Sequence, residues 1–165
     1  MKIATYLLAL LLTAFLGCRS NSSAQSLNAL REIKIERRTV LTLGGKMPSV
    51  SDFCSWSGET CALKPGTFGG TKEMSLTETE AGLISQFYFY YGVTDIGAVQ
   101  VQIDDYTRLL GKPSKDSTLR AGELDSRELE WSDSATTFVF SYKTDGERAE
   151  ASARLLDNAL AGPIH

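Results

Sequence analysis

The stretch LISQFYFYYGVTDIGAVQVQIDDYTRLLGKP, residues 83–113, decides the fold of this chain. Its first part, residues 83–91, is crowded with aromatic side chains, which suit a pleated, half-buried surface and predict a strand. Successive side chains on a strand point to opposite faces. Phe87, Phe89 and Tyr91 therefore share one face, and Tyr88 and Tyr90 take the other. The second part changes period. Ile96, Val99, Ile103, Tyr106 and Leu110 fall at steps of three and four, a single apolar stripe. Thr94 or Asp95 supplies the N-cap, and Gly111 followed by Pro113 supplies the stop, so the spacing predicts a helix over 95–111. That stripe needs an apolar partner, and the Phe87–Phe89–Tyr91 face is the nearest.

Strand patterns extend outward on both sides. Residues 73–77 pair with 83–91 as a hairpin closed near Glu80-Ala81-Gly82. Upstream, LREIKIERR (30–38) alternates around Ile33 and Ile35 and predicts a strand that 40–43 extends. Gly44-Gly45 and Pro48 break the pattern, and the chain reads as irregular to about residue 70. Downstream, 127–131 and 136–143 are strands joined across Ser132-Asp133-Ser134. Asp145-Gly146 is a turn signal. After it Ala149, Ala151, Ala153 and Leu155 alternate with polar residues, which favours a last strand. The same segment, 147–160, also fits a helical stripe through Ala149, Ala153, Leu156 and Leu160. The sum is an α+β fold, an antiparallel sheet of about five or six strands with one main helix (95–111) on one face.

The 165 residues are 42% apolar, 22% charged and 9% aromatic, which bounds the chain to one domain of ordinary composition. We place that domain at 29–165. With 17 basic and 20 acidic residues the net charge is −3, unsuited to gripping a polyanion, so no nucleic-acid partner is expected.

Residues 1–18, MKIATYLLALLLTAFLGC, have one charge, Lys2, before an apolar run shorter than the roughly 20 residues a membrane span needs. A charged start, a short apolar middle and small residues at the exit mark a secretory signal over 1–17. The exit Ala14-Phe15-Leu16-Gly17-Cys18 resembles the bacterial lipoprotein signal, in which a small residue precedes a cysteine that is acylated and becomes the new N-terminus. Gly17 and Cys18 match that pattern, while Phe15 and Leu16 depart from its usual leucine-then-small pair. The resemblance implies a lipid on Cys18 and a membrane anchor. With Arg19 rather than aspartate after the cysteine, it also implies an outer-membrane protein facing the periplasm. Residues 18–28 are small and polar and read as a flexible tether. The competing exit is Ser22-Ser23-Ala24, where ordinary cleavage would release a soluble periplasmic or secreted protein.

Either exit removes Cys18 from the thiol count. In an oxidising compartment Cys54 and Cys61 then pair most simply with each other. The ring is eight residues, and loop-closure entropy makes such a bridge worth roughly 2.5 kcal/mol at most. It pins a local turn. The spacing matches neither a C-x-x-C redox pair nor a zinc knuckle.

Chemistry is otherwise sparse. The single histidine is His165, the last residue, so a histidine base in an ordinary site is not expected. Phosphate-cradling glycine loops, EF-hand loops and zinc ligand sets are missing from the sequence, and no cofactor or metal is expected. Among the carboxylates, Asp104 and Asp105 point about 100° apart on a helix. Glu128 and Glu130 share a strand face and are the only pair that suggests a carboxylate-based hydrolase. The segment YTRLLGKPS followed by ELEWSDSATTFVFSY resembles a pattern in small exported bacterial proteins, carried by Leu110, Gly111, Pro113 and Trp131. It implies a helix stop leading to a tryptophan-bearing hairpin, and no activity.

The expected function is therefore non-catalytic: a lipid-anchored envelope protein that binds a protein partner or serves assembly. Tyr88 and Tyr90 are its candidate surface, because exposed tyrosines bury large area at low entropic cost. The alternative at that face is that the 44–70 loop folds over both rings and makes them core. A second functional reading is an inhibitor of an exported hydrolase such as a lysozyme or protease, with Trp56 in the disulfide ring plugging a cleft.

Overall fold

The structure is a computed structural model that describes residues 27–35, 39–48, 54–58, 60–63 and 71–162, the side chains of Trp56 and Ala121 excepted. A short 3-10 turn, Leu27–Leu30, leads into β1 (Glu32–Ile35) and β2 (Thr39–Thr42), which pair with each other. Then follow β3 (Cys54–Ser57), β4 (Thr60–Leu63), β5 (Glu73–Glu78) and β6 (Ile84–Asp95). The helix α1 (Ile96–Leu110) comes next, and after it β7 (Lys115–Ala121), β8 (Leu124–Ser132), β9 (Thr136–Thr144) and β10 (Arg148–Asp157). Strands β3 to β10 form one antiparallel sheet in the order β3-β4-β5-β6-β10-β9-β8-β7. Two four-stranded meanders thus meet at the β6–β10 seam. The helix carries the chain from the middle of the sheet to its far edge, and the second meander walks back.

The α+β class holds. The strand count corrects the expectation of five or six: the main sheet has eight, and β1–β2 add a second sheet of two. Three segments account for the difference. LREIKIERR does not continue into 40–43 as one strand. It folds back, pairing Ile33 with Leu41, so that Ile33, Ile35, Leu41 and Leu43 all reach the core. The stretch read as irregular contains β3 and β4, a hairpin at one sheet edge whose strands, CSWS and TCAL, lack the isoleucine alternation that marks the equally short β1. At the other edge β7 carries no apolar alternation because its described side chains are exposed on both faces.

The decisive stretch behaves as its periods indicate. Asp95 caps the helix, its Oδ1 accepting from the Gly97 N–H at 2.7 Å, and Gly111 ends it at φ +86° with its N–H donating to Thr107 O. Val99 and Ile103 are buried, with Ile96, Tyr106 and Leu110 packed at the margin of the same cluster. Tyr106 lies among Trp131, Phe138 and Phe140, ring centroids 6.2, 4.8 and 5.5 Å away. Trp131 Nε1–H donates to Gly111 O at 2.8 Å, so the helix stop and the hairpin tryptophan are one packing unit. Fully burying rings such as Phe87 and Phe140 contributes roughly 1.5–3 kcal/mol each.

Residues 148–157 are a strand. β10 is central, paired on both sides, and its Ala149, Ala151 and Ala153 leave room for the helix. Pairing on two edges outweighs the helical propensity of these alanines. Opposite Ala151 and Ser152 the register of β6 slips by one residue at Tyr91, a bulge followed by Gly92 at φ +82°. The remaining part of the apolar face is covered by the β1–β2 hairpin, locked down by Arg31. Its guanidinium donates to Ala135 O, Thr136 Oγ1 and Leu43 O and pairs with Asp157, the two side chains being only 17% and 9% exposed.

Candidate functional site

The helix and the hairpin both cover one face of the sheet; the opposite face is mainly polar, with Val139 and Leu156 its buried apolar members. A single cross-strand row there runs Tyr90–Ser152–Ser141–Glu128–Ser117 through β6, β10, β9, β8 and β7. The row places the small Ser152 and Ser141 between Tyr90 on one side and Glu128 on the other. That contrast in size makes a trough. It is an open groove of about 660 Å³, with Tyr88 and Tyr90 on one wall, Leu119 on the other, and Lys143, Glu150 and Glu128 among its lining. The volume falls within the ordinary range for ligand sites, although the lining is more polar than most.

Both tyrosines are half-buried. The Tyr90 hydroxyl donates to Glu150 Oε1 at 2.9 Å, and this bond to a carboxylate raises the phenol above its ordinary pKa by disfavouring the phenolate. The Ser141 and Ser152 hydroxyls lie 3.1 Å apart on the floor. Arg154 reaches Glu128 at 3.5 Å. The groove thus offers ring faces, hydroxyls that both donate and accept, and charges of both signs.

Behind the β7–β8 end, Arg127 donates from Nε and Nη2 to the two oxygens of Asp116 at 2.9 and 2.8 Å. This bidentate pair holds the Asp116 carboxyl below the usual range and pushes the Arg127 guanidinium up. Asp145, in the β9–β10 turn, is also held low, by the backbone N–H groups of Arg148 and Glu147.

Tyr88 and Tyr90 are brought together in the groove. Trp56 is not brought to it. It belongs to β3, its backbone paired with Cys61 three strands from β6, and its side chain lies outside those described. The 44–70 segment does not form a cover over the tyrosines where it is described, because Cys54–Ser57 and Thr60–Leu63 lie in the plane of the same sheet. Residues 49–53, 59 and 64–70 lie outside the described set. Cys54 and Cys61 stand at disulfide distance, Cα atoms 5.6 Å apart, diagonally across the β3–β4 hairpin. Cys18, Ala24 and His165 lie outside the described residues.

The carboxylates do not gather. Asp104 accepts from Gln100 Nε2 and Asp105 from Arg108, both on the exposed side of α1. Glu128 and Glu150 lie two strands and two residues apart, which puts their backbone positions roughly 12 Å from each other. Glu128 and Glu130 share a face of β8, and Glu128 already meets Arg154. Among the described residues no group of three or more His, Cys, Asp or Glu could hold a metal ion, and no helix is long and apolar enough to cross a membrane.

Residue-type reasoning missed Ser117, Leu119, Ser141, Lys143, Glu150 and Ser152. Ser141, Lys143, Glu150 and Ser152 leave a trace in the sequence as the polar half of the alternation in β9 and β10; Ser117 and Leu119, on β7, leave none. Neither a known protein family, a curated protein nor a solved structure matches this chain.

Proposed function

We propose that this chain is a non-catalytic cell-envelope protein, anchored through a lipid on Cys18, that binds a protein partner or serves assembly through the Tyr88–Tyr90 groove. The observation that carries the reading is the groove itself: two half-buried tyrosines beside a serine floor on the one face that neither α1 nor the hairpin covers. Tyrosine combines large contact area with a hydrogen-bonding tip, and small adaptable hydroxyls accompany it in antibody paratopes. The lipoprotein-like exit at Gly17-Cys18 supports placement at the outer membrane facing the periplasm. Cleavage after Ala24, giving a soluble exported protein, is the competing route.

Crosslinking in intact cells tests the binding role. The wild-type chain should give a discrete crosslinked species that the Tyr88→Ala/Tyr90→Ala double variant loses at equal abundance. A species unchanged by the double substitution would refute the groove as the binding surface. Radiolabelled fatty acid incorporated by the wild type and absent from Cys18→Ala is the expected outcome for the anchor.

A further inference from the structure

We propose that β7 is a self-association edge, through which two copies of this chain pair antiparallel about a two-fold axis at Thr118. β7 is the last strand of the eight-stranded sheet, so every second backbone N–H and C=O along its seven residues faces outward without a ladder partner among the described strands. Edges kept from pairing are usually short, bulged, charged or broken by proline, and of these devices β7 has only charges, Lys115, Asp116 and Arg120. β7 is regular, in continuous register with β8 from Lys115↔Glu130 to Ala121↔Leu124. Leu119 is 68% exposed on it.

The sequence KDSTLRA is self-complementary. Antiparallel pairing centred on Thr118 sets Asp116 opposite the partner's Arg120, and by symmetry Arg120 opposite the partner's Asp116. It sets Ser117 opposite the partner's Leu119, which brings the two Leu119 side chains to diagonal positions roughly 7–8 Å apart, within reach of each other. A two-fold through a residue works whichever alternate backbone groups face outward, because Thr118 then forms either the narrow or the wide pair with its own copy. The charged side chains are prepared for it. Asp116 is fixed by Arg127 and keeps further lone pairs, while Arg120 is 77% exposed and meets Asp125 only at 3.6 Å. Such an isologous contact closes at two copies. Because Leu119 also walls the groove, pairing would bring the two grooves edge to edge on one continuous sheet.

Register-specific disulfide trapping of the full-length chain in the bacterial envelope tests this. Directly opposed residues have Cα atoms about 4.5–5.5 Å apart, within disulfide range, so Thr118→Cys should trap a covalent homodimer on oxidation. Ser117→Cys and Leu119→Cys expressed singly should each trap about fivefold less, and co-expressing them should restore the dimer. Arg120→Asp added to Thr118→Cys should lower trapping by about fivefold. Thr118→Cys giving no more dimer than Ser117→Cys, or linking to a different polypeptide, overturns the proposal, as does trapping indifferent to Arg120→Asp. Light scattering of the wild-type chain in detergent keeps the result independent of the cysteines: twice the monomer mass supports the pairing and monomer mass alone overturns it. The Tyr88→Ala/Tyr90→Ala variant should still dimerise, so failure here is distinct from failure of the groove reading.

Discussion

The most informative perturbation is at the hydroxyl pair that ties α1 to β6. Tyr91 and Tyr106 place their oxygens 2.7 Å apart, one donating to the other, beneath the helix and beside Phe140. Tyr91→Phe removes one partner and strands the Tyr106 hydroxyl; Tyr106→Phe does the reverse. A neutral hydrogen bond contributes about 1 kcal/mol, and an orphaned buried hydroxyl costs about 1–3 kcal/mol, so each single variant should lose about 1–2 kcal/mol. The double variant leaves no orphan. It should lose about as much as one single, giving a coupling of about 1 kcal/mol in a double-mutant cycle. The assay is urea unfolding followed by tryptophan fluorescence, since Trp131 lies 6.2 Å from the Tyr106 ring. A second arm uses pH. Burial raises both phenols above their ordinary value, so the folded chain holds its protons when the unfolded chain has released them. The stabilisation is complete below about pH 10 and is lost as pH rises beyond it, at most about 1.4 kcal/mol per pH unit for each group. The wild type should lose stability more steeply above pH 10 than the double variant. Additive single losses, or identical alkaline slopes, would refute the pairing as a coupled buried bond.

Two further outcomes follow from charges elsewhere. Asp157→Ala should destabilise by about 3 kcal/mol in the same unfolding assay, because it leaves the nearly buried Arg31 guanidinium without its counter-charge, and Asp157→Asn should cost less. Asp116 and Asp145 are held below the ordinary carboxyl range, so their stabilisation is present above about pH 4 and lost as pH falls through their lower folded values. Melting curves from pH 6 down to pH 2 should therefore show a fall in stability that Asp116→Asn with Asp145→Asn makes shallower.

What was legible in the sequence is what is written in local period. The aromatic alternation of 83–91 and the three-and-four spacing of 96–110 each state a buried face within a dozen residues, because β6 and α1 are covered on one side only. The stop at Gly111 and the partner Trp131 were equally visible as residue types. The edges were not. β3, CSWS, has no β-branched residue and β7 is wet on both sides, so neither carries the aliphatic contrast by which the equally short β1 is read. Residues 30–43 carried the right apolar positions, yet one strand and a hairpin share that pattern until something decides what the second arm packs against.

The groove was half legible. Tyr88 and Tyr90 stand out as a pair facing away from the helix, and the sequence alone determined that. Which residues they face was decided by strand order and register. Ser152, Ser141, Glu128 and Ser117 come from four strands spread over 36 positions, and only the antiparallel ladder aligns them into one row. The central place of β10 was settled the same way, since alanines at 149, 151 and 153 fit either a helix or a strand until β6 and β9 offered hydrogen bonds on both edges. Side-chain period is a local property, set by how one segment turns water away. Pairing partners are a property of the whole chain, and no window of the sequence contains them.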